Sequence, residues 1–353
     1  MNVLIYNFDA INPLAHEWAH ILVDLQSQVT VVNHRESIKC RDKRVTIFLL
    51  DDFKPSIKSN FDLLFLPWIP SRKYFMRFFK DWIKLGLPEI VWIDHNPVQG
   101  RDRQGLLLKF LRSSTNVKVR RLVHGMNSLS LSDTDPIYFP HPIFMNAFEG
   151  SNSRAGIKDP TVMNFAFIGR LDEQKGLFEL PRLAEMISKG LNISTKWIIA
   201  GNNPDMDQAL QIAESIRELP NVTVEAHIYG KKCPDQIIKN TLSKSHFLIA
   251  PYNQVTASGT ISLALASDTE VVSISKSVPL GLGDFEDRML HCIKEADLAN
   301  FLRSRIGKNE ILMSPNPGKN QNLKTAHNEQ CGKIFLEFAG RSKVNRKQYD
   351  EKQ

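Results

Sequence analysis

No two cysteines in this sequence form a C-x-x-C pair, and no histidines join them at zinc spacing; Cys40, Cys233, Cys292 and Cys331 stand singly along 353 residues. Neither a disulfide framework nor a structural metal site is indicated, and reduced, buried thiols are expected. No apolar run approaches the roughly 18 residues a spanning helix needs. The opening Met1-Asn-Val-Leu-Ile-Tyr has no basic segment followed by a signal-type apolar one. A cytoplasmic protein without a spanning helix is therefore expected, and the sequons at Asn192 and Asn221 carry no weight. G-x-G-x-x-G is missing, so a dinucleotide fingerprint is not supported. No recognisable nucleic-acid module is present either, and nucleic acid is not the expected partner.

What is present is ordinary globular composition, 42% hydrophobic and 24% charged, in a chain longer than one core usually serves. Two domains of about 150 residues follow. The net charge of +7 and pI near 9.1 favour acidic partners: nucleotide sugars, phospholipid head groups or nucleic acid.

The most informative stretch is Phe-Ala-Phe-Ile-Gly-Arg-Leu-Asp-Glu-Gln-Lys-Gly-Leu at 165–177. An apolar strand pattern ends at Gly169, Arg170 and Lys175 sit in the following loop, and a helical pattern starts near Leu177. Two cations beside a helix N-terminus suit a diphosphate, because unpaired N–H groups and the helix dipole already favour negative charge there. Read alone, the stretch fits equally an ordinary strand-to-helix turn with solvated cations.

The first half opens as β-α-β: an apolar run at 3–6, a polar loop with Asn7, Asp9, Asn12 and Pro13, a helical pattern through Trp18, Ile21, Leu22 and Leu25, and a strand at 29–32. This implies a parallel sheet whose loops at the carboxyl edge bind ligands. Further strands are read at 45–50, 63–67, 90–93, 117–123 and 137–139. Several end in polar residues: His95 and Asn96, His124, and His141 between two prolines. They are candidates for a polar cleft edge, although loop histidines are commonly just hydrogen-bonded.

The segment 72–84 interleaves Arg72, Lys73, Lys80 and Lys84 with Phe75, Phe78, Phe79, Trp82 and Ile83 at helical spacing. Such a helix can lie on an anionic membrane surface with its aromatics in the interface, or pack on the sheet with a basic rim.

Residues 146–163 are rich in Gly, Ser, Asn and Asp and read as a linker. The division is thus a first domain at 1–145, a second at 164–340, and a basic tail at 341–353 that is frayed or surface-bound. The second domain repeats the β/α pattern, with strands at 165–168, 197–200, 222–226, 247–250 and 271–274 and helical patterns at 178–189, 207–218 and 235–243. After Pro251 and Tyr252 close a strand, Ser258-Gly259-Thr260 opens an apolar helix. Ser258 is a good cap, and Gly259 removes a Cβ that would obstruct a phosphate. Two successive α/β domains imply a cleft for a small molecule.

In this order and spacing, the residues resemble the nucleotide-sugar glycosyltransferases of the GT-B fold, close to glycosyltransferase family 4. The resemblance rests on G-R-x(4)-K-G at Gly169, Arg170, Lys175 and Gly176, on Gly201-Asn202, on Pro251-Tyr252, and on Ser258-Gly259 through Val271-Val272. His95-Asn96 and Pro140-His141-Pro142 resemble a bacterial polysaccharide-assembly branch. Two Rossmann-like α/β domains facing a central cleft are implied, with a metal-independent, hexosyltransferase-type reaction and no cofactor. Arg170 and Lys175 would hold the donor diphosphate and offset its charge as it leaves. Gly201 and Asn202 would lie beneath the nucleotide, Tyr252 beside the donor, and Ser258 to Thr260 would give N–H groups to the phosphates. His95 would border the reacting sugars, and Asn12, Asn96, His124 and His141 the acceptor, a glycan or lipid-linked glycan. The resemblance further implies retention of configuration, polysaccharide or glycolipid assembly, and a peripheral place on the inner face of the cell membrane.

The sequence departs from that family in two ways. Paired glutamates around the Ser258 helix are replaced by Val255 and Leu263, a Ser-Gly form found in part of the family. Asp268 and Glu270 replace the customary Gly and Pro before the closing strand. The ribose-binding carboxylate is therefore unassigned. A catalytically lapsed partner or sugar-binding subunit, and a nucleotide-sugar epimerase, are the alternative readings.

Overall fold

A computed structural model of the chain describes residues 1–7, 14–33, 42–56, 59–67, 72–94, 119–124, 137–139, 141–145, 162–191, 193–252, 258–274, 282, 285, 289–307 and 320–350. It divides into two compact units, Met1–Pro142 with Ala326–Gln353, and Ile143–Thr325.

The first unit is built on a parallel sheet of β1 (Asn2–Asn7), β2 (Gln28–Asn33), β3 (Thr46–Leu49), β4 (Leu63–Leu66), β5 (Glu89–Asp94), β6 (Val119–His124) and β7 (Ile137–Phe139). Their order is β3-β2-β1-β4-β5-β6-β7, so the direction of winding switches between β1 and β4. The central strands are apolar through their middles, as in Val3-Leu-Ile5, Leu63-Leu-Phe-Leu66 and Ile90-Val-Trp-Ile93, the pattern of parallel strands buried on both faces. Helix α1 (Leu14–Asp24) packs Trp18 edge-on against Phe65, 5.6 Å between centroids.

Helix α2 (Arg72–Lys84) forms where the aromatic-basic spacing predicts it. Its aromatic face goes to the core: Phe78 and Trp82 are buried, and the Trp82 indole donates to Pro88 O at 2.8 Å. Of the two readings of this segment, packing on the sheet thus holds for Phe78 and Trp82, with Phe79 half-buried against the same core, because an apolar stripe at this spacing is satisfied first by its own sheet. Exposed on the helix instead are Met76, Lys80, Ile83 and Lys84, which share one face.

The second unit carries β8 (Val162–Arg170), α3 (Leu180–Leu191), β9 (Ser194–Asn202), α4 (Met206–Arg217), β10 (Val222–Tyr229), α5 (Asp235–Lys244), β11 (Phe247–Ala250), α6 (Gly259–Ala266), β12 (Glu270–Ser273), β13 (Leu290–Cys292) and α7 (Leu298–Gly307). The strands run parallel in the order β10-β9-β8-β11-β12-β13. Winding again reverses at the first strand, between β8 and β11. Leu180, Leu183, Ala184, Ile187 and Leu191 form the buried stripe of α3, spaced as one helix face.

The chain's end differs from the sequence reading. Helix α8 (Gln321–Asp350) is continuous where a domain end at 340 and a frayed tail were expected. From Ala326 the chain belongs to the first unit rather than the second. Lys324, His327, Cys331 and Phe335 recur every three or four positions and are all buried. Gly332 permits the contact, since a Cβ there would lie 2.3 Å from a Leu25 methyl group. That stripe is visible in the sequence, but the partners of Gly332 and Phe335, on α1 and β4, lie hundreds of residues away. The expected linker falls almost wholly outside the described residues.

Candidate functional site

At the carboxyl edge of the second sheet, β8 ends in Gly169 and Arg170, side by side with Gly201 and Asn202 ending β9. The two ends are pressed together: a Cβ on Gly201 would stand 2.0 Å from Gly169 O. Leu171 N donates to Asn202 O at 2.9 Å. Gly169 has φ +104°, a conformation side-chain-bearing residues rarely adopt, and a Cβ there would come within 3.0 Å of Thr260 Oγ1. The β8 end and the first turn of α6 are therefore neighbours.

The loop after Arg170 is a 3-10 turn, Glu173–Lys175. Asp172 caps it, its Oδ1 accepting from Lys175 N at 3.0 Å. Gly176 then turns the chain at φ +79°, where a Cβ would lie 2.2 Å from Pro251 O. This contact brings the loop onto the end of β11 and sets Lys175 Nζ 4.0 Å from the centroid of the Tyr252 ring. Arg170 remains more than half exposed, its Nε 3.3 Å from Asp172 Oδ2 and a terminal nitrogen donating to Gln174 Oε1 at 3.1 Å.

Helix α6 begins at Gly259 under a Ser258 cap, with Ile261 N donating to Ser258 Oγ at 3.4 Å. That bond uses the amide of Ile261, while those of Gly259 and Thr260 precede it in the first turn. Gly259 has a packing reason of its own: a Cβ there would sit 3.2 Å from the Phe144 ring. Gly169, Arg170, Lys175, Gly201, Asn202, Tyr252, Ser258, Gly259 and Thr260 therefore all lie along one sheet edge at the switch point between β8 and β11, the position where open α/β sheets bind ligands.

Asp172 and Gln174 are the site's additions to the sequence reading. The signal was available: an Asp three residues before Lys175 is a cap pattern.

Both departures before the closing strand have structural accounts within this unit. Asp268 has φ +58°, the conformation for which glycine is customary, and binds the buried Lys324 ammonium at 2.7 Å. Glu270 is held by His291 Nε2 at 2.9 Å and by Arg305. Burial pushes the Glu270 carboxyl up, but the His291 hydrogen bond and the Arg305 charge outweigh it and hold it below the ordinary value. Neither residue belongs to the sheet-edge site.

The first-unit candidates fare differently. Asn12, His95 and Asn96 lie outside the described residues, and so does Val255. His124 ends β6, with its side chain outside the description. His141 is buried, its Nδ1 2.9 Å from Pro142 O, while its own carbonyl lies 2.9 Å from His327 Nε2. The family resemblance implied a place facing an acceptor; the His141 side chain is instead buried, and its backbone carbonyl meets His327 of α8.

Asn7 and Asn33, ending β1 and β2, are buried and bonded to each other at 2.9 Å. Nearby His16, on the first turn of α1, is also buried and has its pKa lowered to about 4. Desolvation is the main cause, the His20 charge adds to it, and Asn33 opposes it.

Among the described residues no three His, Cys, Asp or Glu side chains are grouped to hold a metal ion, and no helix is long and apolar enough to cross a membrane.

No protein-family model and no curated protein matches this sequence. Solved structures do match along nearly the whole chain. The structure of TarM superposes with a TM-score of 0.62 at 10% identity, covering 96% of this chain and 98% of its own. An alpha-glucosyltransferase in complex with UDP and a 13-mer DNA containing a hydroxymethyluracil base gives 0.60 at 14%, covering 96% and 99%. WaaG, a glycosyltransferase involved in lipopolysaccharide biosynthesis, gives 0.51 at 12%, covering 94% and 95%. These neighbours are GT-B glycosyltransferases. At such identities the likeness establishes the fold: two α/β domains with parallel sheets.

Proposed function

We propose that the protein is a nucleotide-sugar glycosyltransferase whose donor diphosphate lies on the carboxyl edge of the second sheet. The observation that carries the reading is the convergence there of Arg170, Lys175 and the first turn of α6, brought together by glycines that admit no Cβ. Cations and helix-end amides fixed before the reaction stabilise charge on a leaving diphosphate without reorganising during it. This chemistry requires no metal and no cofactor. The leaving diphosphate can itself accept the acceptor proton, in keeping with retention. His95 is proposed to border the sugars, and Asn12, Asn96 and His124 the acceptor. The acceptor is proposed to be a glycan or lipid-linked glycan, reached on the cytoplasmic face of a membrane. DNA containing hydroxymethyluracil belongs in the acceptor panel too, since one structural neighbour holds such DNA and this chain carries +7 net charge.

The test is transfer from a panel of nucleotide sugars to these acceptors by the wild type and by Arg170→Ala with Lys175→Ala. Transfer by the wild type alone supports the proposal. Equal rates sink the site assignment, conversion of the donor to a new sugar without acceptor marks an epimerase, and binding without turnover marks a lapsed subunit.

A further inference from the structure

Asp172 presents a negative charge inside a site proposed to receive a diphosphate, where like charge should weaken binding. Its two oxygens have separate occupations. Oδ1 accepts from Lys175 N at 3.0 Å and so fixes the turn that carries one cation. Oδ2 lies 3.3 Å from Nε of Arg170, the other cation. The backbone joins in, since Lys175 N and Leu177 N both reach Asp172 O at 3.1 Å. Neutral Gln174 holds the far end of the same guanidinium.

An asparagine at 172 could perform the capping equally well, because Asn and Asp rank together at this position. Capping therefore explains the oxygen but not the charge. The charge has one evident partner among the described residues, Arg170, and that pair is half open to solvent. Exposed pairs of this kind are weak, and a phosphate can displace them.

We infer that Asp172 is an exchangeable counter-ion for Arg170, a positioning residue that holds the guanidinium in the empty site, yields it to the donor diphosphate, and reclaims it when the diphosphate product departs. The inference rests on the donor-site reading above. On it, Asp172 keeps the site from binding its product too tightly, at some cost in donor affinity.

Calorimetric titration of the full-length protein with UDP, GDP, ADP and inorganic pyrophosphate tests this in the wild type, Asp172→Asn and Asp172→Ala, with melting curves to confirm folding. Asp172→Asn keeps the cap and loses the charge. It should bind the preferred diphosphate about three-fold more tightly, the change expected for losing one exposed ion pair as a competitor. Under turnover its kcat should fall with its KM, because product release slows. Asp172→Ala should bind more weakly than Asp172→Asn, since it also loses the cap. In an Arg170→Ala background, Asp172→Asn should gain less. A merely structural Asp172 would leave Asp172→Asn with unchanged or weaker binding, and that result overturns the inference. No binding of any probe to the wild type overturns the donor-site reading as well.

Discussion

Lys175 Nζ stands 4.0 Å from the centroid of the Tyr252 ring, so a loop cation is steadied by the second residue past the end of the neighbouring strand. The ring's face attracts the ammonium and narrows its range without neutralising it, leaving it free to meet a phosphate.

Lys175→Ala should therefore lower kcat/KM by about 10²–10³, the usual loss for one preorganised donor to a developing charge. Tyr252→Leu keeps most of the bulk but loses the π face, and should weaken diphosphate binding by only about three-fold. Steady-state kinetics and calorimetry on the two variants check the ordering. A larger effect for Tyr252→Leu would mean that the ring contacts the ligand itself.

Gly176→Ala and Gly201→Ala should both destabilise the second unit. The new Cβ would meet Pro251 O at 2.2 Å in the first and Gly169 O at 2.0 Å in the second, and backbone cannot yield as a flexible side chain can. Overpacking of this kind costs about 1–3 kcal/mol, to which Gly176 adds the strain of its positive φ. Thermal melting should show both below the wild type.

Stability should fall between pH 6.5 and about 4 because of His16. Its folded-state pKa is lowered from 6.5 to about 4, so in this window the unfolded chain binds the extra proton. The contribution is complete above pH 6.5 and is lost as pH falls, by about 3 kcal/mol in total. His16→Asn should flatten the melting temperature across this range.

Glu270 acts further into acid. Its carboxyl is held below the ordinary value of 4.5, so its contribution is present above that pH and disappears as pH falls beneath it. Glu270→Gln should lower stability at pH 7 and diminish the difference from the wild type near pH 3, as followed by denaturant titration.

On α2, the buried and exposed apolar residues should part company. Phe78→Ser and Trp82→Ser should destabilise the first unit by about 3–5 kcal/mol, as large core truncations do. Met76→Ser with Ile83→Ser should leave the melting temperature within about a degree or two. If the exposed face of α2 docks on lipid, the second pair should reduce flotation with anionic liposomes; flotation equal to wild type removes this helix as the anchor.

The strands and the loop cations were legible because their signals are local. Apolar runs ending in Gly, Pro or Asn mark strand ends within a few residues, and the spacing of Arg170, Lys175 and Gly176 marks the turn between them. Asp172 was legible in kind, as a cap, but its bond to Arg170 depends on a loop conformation that spacing alone leaves open.

Less was legible wherever one pattern serves two neighbours. The stripe of α2 is equally suited to lipid and to a sheet; only the position of β4 and β5 beneath it assigns Phe78 and Trp82 to the core. His141 reads as a loop histidine until α8 returns over it.

By itself, then, the sequence determined the α/β alternation, the parallel strands and the cation-bearing turn, since each follows from hydrophobic period and backbone preference over a dozen residues. Tertiary structure decided what depends on distant partners. It closed the turn through Gly176 on Pro251, gave Asp268 and Glu270 to Lys324, His291 and Arg305 rather than to a ligand, and carried α8 back to the first unit. These outcomes rest on contacts between residues from tens to hundreds of positions apart, and no local pattern encodes which of several compatible neighbours a side chain will meet.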